Sequence, residues 1–169
     1  MEINQLLDSI AEDADCHMVA LSTIPLVNSP LVLPQDLVAF YRRCGGVELF
    51  KEEVFGFRIV TPQEFVPANP LLLGNYYLEN KHEFDSDESA AWYLIARGTK
   101  SDEFITIDLN AAKNGYCYDS FWEVHATGNA KVVAKSFTEL VERLHAARGT
   151  DLYWEHRAFN LGHARDSNS

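Results

Sequence analysis

Five acidic side chains and a histidine crowd into one short stretch of this chain, where they could bind a cation or a basic partner. The acids are Glu79, Glu83, Asp85, Asp87 and Glu88, and the histidine is His82. Carboxylate oxygens suit a divalent cation, but the stretch lacks the glycine and the terminal glutamate that an EF-hand loop places at fixed offsets. A solvated acidic loop is the favoured interpretation, so we predict neither a metal site nor a cofactor.

Three other carboxylates could perform acid–base chemistry if neighbouring strands brought them together. Asp102, Asp108 and Asp119 lie in or next to predicted strands, and paired carboxylates are a common means of proton transfer in enzymes. The simpler interpretation is preferred, in which Asp102 is a turn residue and Asp119 caps the end of a strand. A small hydrolase or metal-dependent enzyme is therefore the weakest of three functional hypotheses.

The cysteines give little reason to expect chemistry. Cys16, Cys44 and Cys117 form an odd set without a C-x-x-C motif, which favours reduced thiols in the cytoplasm over a disulfide framework. Cys44 stands at the end of a predicted helix, where the helix dipole raises a thiol pKa, so packing is favoured over a nucleophilic role. The motifs of serine hydrolases, dinucleotide-binding folds and NTPases are absent from the sequence, and we predict no enzymatic activity.

Several aromatic residues accompany the acids on neighbouring predicted strands. They are Trp92, Tyr93, Tyr116, Tyr118, Phe121 and Trp122. Aromatic side chains beside acidic ones are typical of a protein-binding groove. Trp92 is expected in the core, whereas for Tyr118 and Trp122 burial and partner contact are nearly equally expected. We take Tyr118 and Trp122, together with the five acids, as candidate partner-binding residues.

The charge balance opposes one class of partner and favours another. The 169 residues include 14 Lys and Arg against 25 Asp and Glu, which gives a net charge of −11. A phosphate backbone requires a basic face, so direct nucleic-acid binding is not expected and a basic protein partner fits better. The acidity also fits a purely solubilising role, and that interpretation stays open.

The sequence lacks the patterns of secreted and membrane proteins. Glu2, Asp8 and Glu12 stand where a signal peptide needs a basic start and an apolar run. No stretch approaches the run of about 18 apolar residues that a membrane span requires. We predict a cytoplasmic protein that does not span a membrane, and its length suits a single domain with its own core.

The elements that position these residues are clearest in residues 33–50, LPQDLVAFYRRCGGVELF. Pro34 suits the first turn of a helix, and the apolar positions that follow, as far as Tyr41, fall on one helical face. The double glycine, Gly45 and Gly46, is expected to end this helix. The four residues after it predict a strand.

Periodicity and turn residues predict the other elements. They are a first helix ending near residue 14, strands over 47–50, 55–59, 92–96, 104–109, 116–119, 122–126 and 131–134, a short helix opened by a capping box at 61–64, and a closing helix opened by a capping box at 136–139 and stopped by Gly149. Residues 71–89 have no sustained period and are interpreted as a variable insertion.

The block at residues 33–50 resembles the opening signature of the SUKH superfamily, the Smi/Knr cell-wall-regulator-like proteins. The strand ITIDL and the helix SFTELVERL resemble weaker features of the same family, so the resemblance covers about residues 20–148. It implies an α+β fold, with a single domain at 1–149 that contains a mainly antiparallel twisted sheet flanked by helices. A partly docked extension at 150–169, frayed at its last positions, would follow.

The resemblance also implies a function. The family includes immunity proteins that sit beside secreted bacterial toxins, often nucleases, and block them by direct contact. Since an acidic surface suits a basic nuclease channel, the leading hypothesis is a non-enzymatic immunity-type protein that binds and neutralises a cognate toxin. The alternative is an intracellular scaffold or regulatory adaptor, as in the yeast cell-wall-regulator branch. Neither hypothesis fixes the oligomeric state.

Overall fold

The computed structural model describes residues 1–166, and these form one α+β domain around an antiparallel sheet. The seven strands of this part of the chain lie in sequence order across the sheet, so each strand pairs with its neighbours in the chain. They are β1 (Cys16–Val19), β2 (Gly46–Leu49), β3 (Phe57–Ile59), β4 (Trp92–Gly98), β5 (Phe104–Asp108), β6 (Cys117–Asp119) and β7 (Val132–Ala134). The expected α+β meander is confirmed.

Six α-helices accompany the sheet among the described residues. They are α1 (Ile3–Glu12), α2 (Gln35–Arg43), α3 (Ala68–Leu73), α4 (Asn75–Glu79), α5 (Lys81–Asp85) and α6 (Phe137–Ala147). Helices α1, α2 and α6 contact one another and bury their apolar stripes in the main core. Phe40 of α2 packs edge-to-face on Phe137 of α6 with ring centroids 5.0 Å apart, which joins these two helices in the core.

A second, smaller core cluster contains Trp92, Tyr118 and Val132. Cys117 belongs to the main core, and successive side chains of a strand point to opposite faces of the sheet. Tyr118 therefore points to the other face, where its ring packs 4.3 Å from that of Trp92. The burial of Trp92 confirms its expected place in the core.

The double glycine after α2 is required by a close approach of two backbones. A Cβ atom on Gly45 would lie 2.2 Å from the carbonyl oxygen of Ala20, and the Gly45 amide donates to the carbonyl of Val19 over 2.9 Å. Gly46 has φ +144 and begins β2 opposite Val19. The helix itself ends at Arg43, and the capping residue after it, Cys44, is extended. The two glycines thus bring β1 and β2 together rather than forming a left-handed helix cap.

The short helix predicted at residues 61–64 is wrong, because that segment forms a turn. The Glu64 carboxylate does reach back to the Thr61 amide over 3.3 Å, as in a capping box. However, the carbonyl of Val66 accepts from the amide of Leu94 over 3.0 Å, and Pro67 forms a β-bridge with Tyr93. Pairing with β4 therefore draws the chain out before a helix can form.

The strand predicted at residues 122–126 is also wrong, since this segment is a series of turns. The Asp119 carboxylate accepts from the Phe121 amide over 3.1 Å, and the His125 amide bonds back to the Phe121 carbonyl over 2.9 Å. Ala126 then has φ +60, which no strand accommodates. In its place β7 pairs directly with β6.

Two further features lay outside the sequence predictions. Strand β1 occupies the edge of the sheet beside β2, in a stretch for which no element was predicted. After α6, Tyr153 and Trp154 are buried in the main core, so the start of the C-terminal extension packs against the domain. The frayed end predicted for the last positions falls on residues 167–169, outside the described residues.

Candidate functional site

The acidic stretch lies in a helical segment, residues 68–91, between β3 and β4. It contains α3, α4, α5 and a 3-10 turn, so the predicted insertion has helical structure of its own. Buried polar contacts fasten it: Asn69 donates through its amide to the Ser89 hydroxyl over 3.0 Å, and His125 lies 2.8 Å from the Asn69 side-chain oxygen. The helical segment and the loop at residues 120–130 are therefore joined.

All five acids of the helical segment are exposed, but they differ in their contacts. Asp85 pairs with Lys81 and accepts from the Tyr77 hydroxyl over 2.7 Å, and the hydrogen bond from Lys81 is the main reason that its pKa is lowered. Asp87 accepts from the Ser89 amide over 3.1 Å and so caps the 3-10 turn. These two acids help to hold the segment together.

The side chains of Glu79 and Glu83 make no hydrogen bond or ion pair within residues 1–166, so their charges face solvent unpaired. Large apolar side chains are exposed in the same segment. Leu71, Tyr76 and Leu78 are 50%, 60% and 66% exposed. A partner protein of opposite charge could bury these apolar side chains and pair with the free carboxylates next to them. This combination therefore marks the segment as a candidate interface.

The two aromatic anchor candidates lie in opposite surroundings. Trp122 is 65% exposed in the loop at residues 120–130. Tyr118 is 1% exposed, and its hydroxyl donates to the Asp108 carboxylate over 2.6 Å. A buried ring whose hydroxyl forms a hydrogen bond inside the protein is not available to a partner in this conformation. Trp122 therefore remains a candidate, and the expectation for Tyr118 is corrected.

The three carboxylates considered for acid–base chemistry do not form one site. Asp119 lies opposite Ile105 in the sheet. Asp108 is three residues further along β5, which corresponds to about 10 Å. Asp102 is exposed in a turn. Asp108 accepts from Tyr118 and from the backbone amide of Asn110 at 2.8 Å, and its pKa is raised mainly by burial. The structural interpretation of these acids is supported by their contacts.

Cys44 has a packing role, as the sequence predicted. Its side chain is 2% exposed, and burial is the main reason that its pKa is raised. A buried thiol with a raised pKa is a poor nucleophile.

Among the described residues, no helix is both long and apolar enough to cross a membrane.

Comparison with known proteins places this domain in a family. The model of the SMI1 / KNR4 family (SUKH-1) matches residues 30–143. The chain belongs to this family. The match runs from before α2 into α6, so it includes both the helical segment and the loop that His125 fastens to it.

One similar protein matches more of this SUKH-1 chain than the family model does. The immunity protein YokJ of Bacillus subtilis (strain 168) is 36% identical over 168 residues, which is 98% of this chain and 97% of that protein. The similarity therefore extends to α1, β1 and the C-terminal extension, which lie outside the family match.

Sequence reasoning located the acids of this SUKH-1 protein but not the exposed apolar side chains that precede them. Tyr76 and Leu78 lie two residues apart in a helix too short to show a period, so no pattern distinguished them from buried positions. The contact of His125 with Asn69 joins residues 56 positions apart. A single sequence carries no local signal for such a pairing.

Proposed function

We propose that this protein is an immunity protein that binds a cognate bacterial toxin and neutralises it by direct contact. Membership of the SUKH-1 family and the full-length similarity to an immunity protein support this proposal. The predicted adaptor role has no such support from a particular observation. The separation of Asp108 from Asp119 in the sheet, and the burial of Cys44, agree with a mechanism that needs no catalysis.

The helical segment is the surface that we assign to the toxin. Its exposed Tyr76 and Leu78 come just before Glu79 in the sequence, so apolar area and unpaired negative charge are close together in α4. Burial of the apolar side chains by a partner provides affinity, and the negative charges favour a partner whose surface is positively charged. This combination is the observation that carries the proposal.

A basic toxin domain, such as a nuclease with a positively charged substrate channel, is the partner class that fits. The net charge of −11 attracts it over long range. Association would be fast and sensitive to salt, because screening acts within about 10 Å at 0.1 M ionic strength. Trp122, in the loop that the contact of His125 with Asn69 joins to the segment, would supply an aromatic anchor.

Co-expression tests the function. A candidate toxin domain, sought in the gene next to that of this chain, is expressed alone and together with it, and growth is measured. The proposal predicts that the toxin domain stops growth, that the chain restores it, and that the two proteins co-purify. Growth arrest that this chain does not relieve would contradict the proposal.

Charge variants test the surface. Glu79→Gln with Glu83→Gln removes two unpaired charges from the helical segment, and Glu12→Gln with Glu142→Gln removes two exposed charges elsewhere. We expect the first pair to weaken toxin binding by about tenfold and to reduce its salt dependence. The control pair should leave both nearly unchanged, although it alters the net charge equally.

An apolar pair of variants tests the other half of the surface. Leu78→Ser changes a side chain that is 66% exposed in the segment, and Leu26→Ser changes one that is 96% exposed in the connector before α2. Both remove an exposed leucine, so their effects on solubility are comparable. Weaker binding for the first variant alone would support the assigned surface, and equal effects would exclude it.

A further inference from the structure

Three side chains with metal-binding atoms meet at the edge of the sheet, away from the helical segment. Asp13 follows α1, Cys16 begins β1, and His145 lies in the last turns of α6. One donor atom from each lies within 4.8 Å of the other two. The set joins residues up to 132 positions apart, so it was not visible in the sequence.

Backbone and ring contacts hold these side chains in place. One Asp13 carboxylate oxygen accepts from the Asp15 amide over 3.0 Å, which turns the other oxygen toward His145. That second oxygen lies 2.9 Å from the His145 Nε2 atom. The imidazole also stacks on the Phe50 ring, with centroids 5.8 Å apart. The Asp13 and His145 side chains are only 14% and 21% exposed, so both are shielded from bulk water.

We propose that Asp13, Cys16 and His145 form a binding site for a zinc-class divalent cation. One carboxylate oxygen, one thiolate sulfur and one imidazole nitrogen make a donor set typical of zinc. Tetrahedral zinc holds such donor atoms about 3.3–3.6 Å apart. The three side chains therefore need to shift by about 1 Å to enclose the ion.

An open cleft lies beside the cysteine of this set and leaves room for a further ligand there. A cavity of about 310 Å³ borders Cys16 and is lined in part by Asp15, His17 and Phe50. It is wide enough to admit a water molecule as a fourth ligand. It also provides the path by which the ion enters and leaves, which a buried cluster would lack.

Arg148 is the group that opposes the cation. One guanidinium nitrogen lies 3.2 Å from the Asp13 carboxylate and another lies 3.4 Å from that of Asp15. The Arg148 side chain is 54% exposed, so it can swing into solvent when an ion takes its place. Arginine and metal thus compete for the same carboxylate, and removing the arginine should strengthen metal binding.

Stabilisation of the fold by the ion is a second signature of the site. The bound ion would link α1, β1 and α6 and stabilise the folded protein in proportion to the logarithm of its concentration.

Cobalt titration of the full chain tests the proposal, because cobalt reports a thiolate ligand through a charge-transfer band in the near ultraviolet. We expect a saturable band at a ratio of one ion per chain, which zinc displaces. Cys16→Ser should abolish the band, His145→Gln should weaken binding at least tenfold, and Arg148→Gln should strengthen it several-fold. His156→Gln is the matched control, since His156 pairs with Asp151 on the surface without a cysteine.

The outcomes separate a site from a structural ion pair. Absence of a thiolate band in the unaltered protein, or a band that persists in Cys16→Ser, would overturn the proposal. If Cys16→Ser does not fold, Arg148→Gln still decides the matter because it keeps all three ligands: unchanged or weaker cobalt binding in that variant would contradict it. This proposal is independent of toxin binding, so failure of one leaves the other standing.

Discussion

The imidazole of His125 donates through Nε2 to the side-chain oxygen of Asn69 over 2.8 Å, across 56 positions of the sequence. Asn69 in turn donates to Ser89, and all three side chains are at least 97% buried. This bridge fixes the loop that carries Trp122 against the helical segment that carries Tyr76 and Leu78. The proposed toxin-binding surface therefore depends on a neutral histidine inside the protein.

His125 predicts a loss of stability in mild acid. Burial lowers its pKa from 6.5 to about 4. Between these values the unfolded chain binds a proton that the folded protein does not, so the free energy of unfolding falls as pH falls from about 6.5 to 4. The full effect is about 3 kcal/mol. Urea unfolding at several pH values, with tryptophan fluorescence as the signal, measures it.

His125→Gln keeps a donor toward Asn69 but cannot be protonated. We expect the variant to lose stability at neutral pH, yet to show a smaller decrease than the unaltered protein between pH 6.5 and 4. His156→Gln, at an exposed histidine, should retain the original slope. An unchanged slope in His125→Gln would show that His125 is not the group that titrates.

Glu103 predicts a pH effect of the opposite sign. Burial is the main reason that its pKa is raised from 4.5 to about 7, and Asp119, Glu155 and Asp102 add repulsion. The folded protein then binds more protons than the unfolded chain between these values, so this residue lowers stability as pH rises from 4.5 to 7. Glu103→Gln should stabilise the protein at pH 8 by about 1–2 kcal/mol, after allowance for solvent screening. At pH 4 it should have no effect.

Thermal unfolding of Glu103→Gln and of Glu142→Gln at both pH values provides the comparison. Glu142 is exposed on α6, and its substitution changes the net charge by the same amount. A gain at pH 8 in both variants would mean that net charge, rather than the surroundings of Glu103, limits stability.

Trp154 predicts how strongly the C-terminal extension supports the domain. The side chain is 1% exposed and packs edge-on against Phe57 of β3, with ring centroids 5.9 Å apart. Trp154→Ala should lower the free energy of unfolding by about 3–5 kcal/mol. Arg157→Ala, at an exposed position of the same extension, is the control. A loss below 1 kcal/mol for Trp154→Ala would show that the extension is only loosely attached.

Substitution of Gly45 tests whether packing requires the double glycine. An added Cβ would lie 2.2 Å from the Ala20 carbonyl oxygen, so the two backbones would have to separate. Gly45→Ala should destabilise the protein by about 1–3 kcal/mol. At Gly74, no atom lies within 4 Å of the Cβ position, but φ is +51. Gly74→Ala therefore tests backbone strain without a clash and should cost about 1 kcal/mol.

The sequence predicted best where local signals agreed. The predicted N-cap of α6 is formed, with the Ser136 hydroxyl accepting from the Glu139 amide over 3.0 Å, although the Glu139 carboxylate accepts from the amide of Lys135 rather than from that of Ser136. The apolar residues of α6 are buried. The strands predicted over 92–96 and 104–109 also coincide with β4 and β5 to within two residues at each end. In these elements, period, cap and turn residues all favoured one structure.

The errors arose where distant contacts decide the local structure. The capping-box pattern at residues 61–64 predicted a helix, but the pairing of Pro67 with β4 keeps the chain extended after it. The sequence did not decide whether Tyr118 is buried or exposed, because its hydrogen-bond partner Asp108 lies on another strand. The candidate site divides in the same way: its acids were visible in the sequence, whereas the exposed Tyr76 and the bridge from His125 depend on how the segments pack.

Direct binding of the purified chain to the candidate toxin domain tests the central claim. Titration calorimetry at low and at high salt measures both affinity and charge dependence. The immunity proposal predicts a one-to-one complex that weakens as salt rises, and a further loss of affinity for the Glu79→Gln, Glu83→Gln variant at low salt. An active toxin domain that shows no binding at either salt concentration would contradict it.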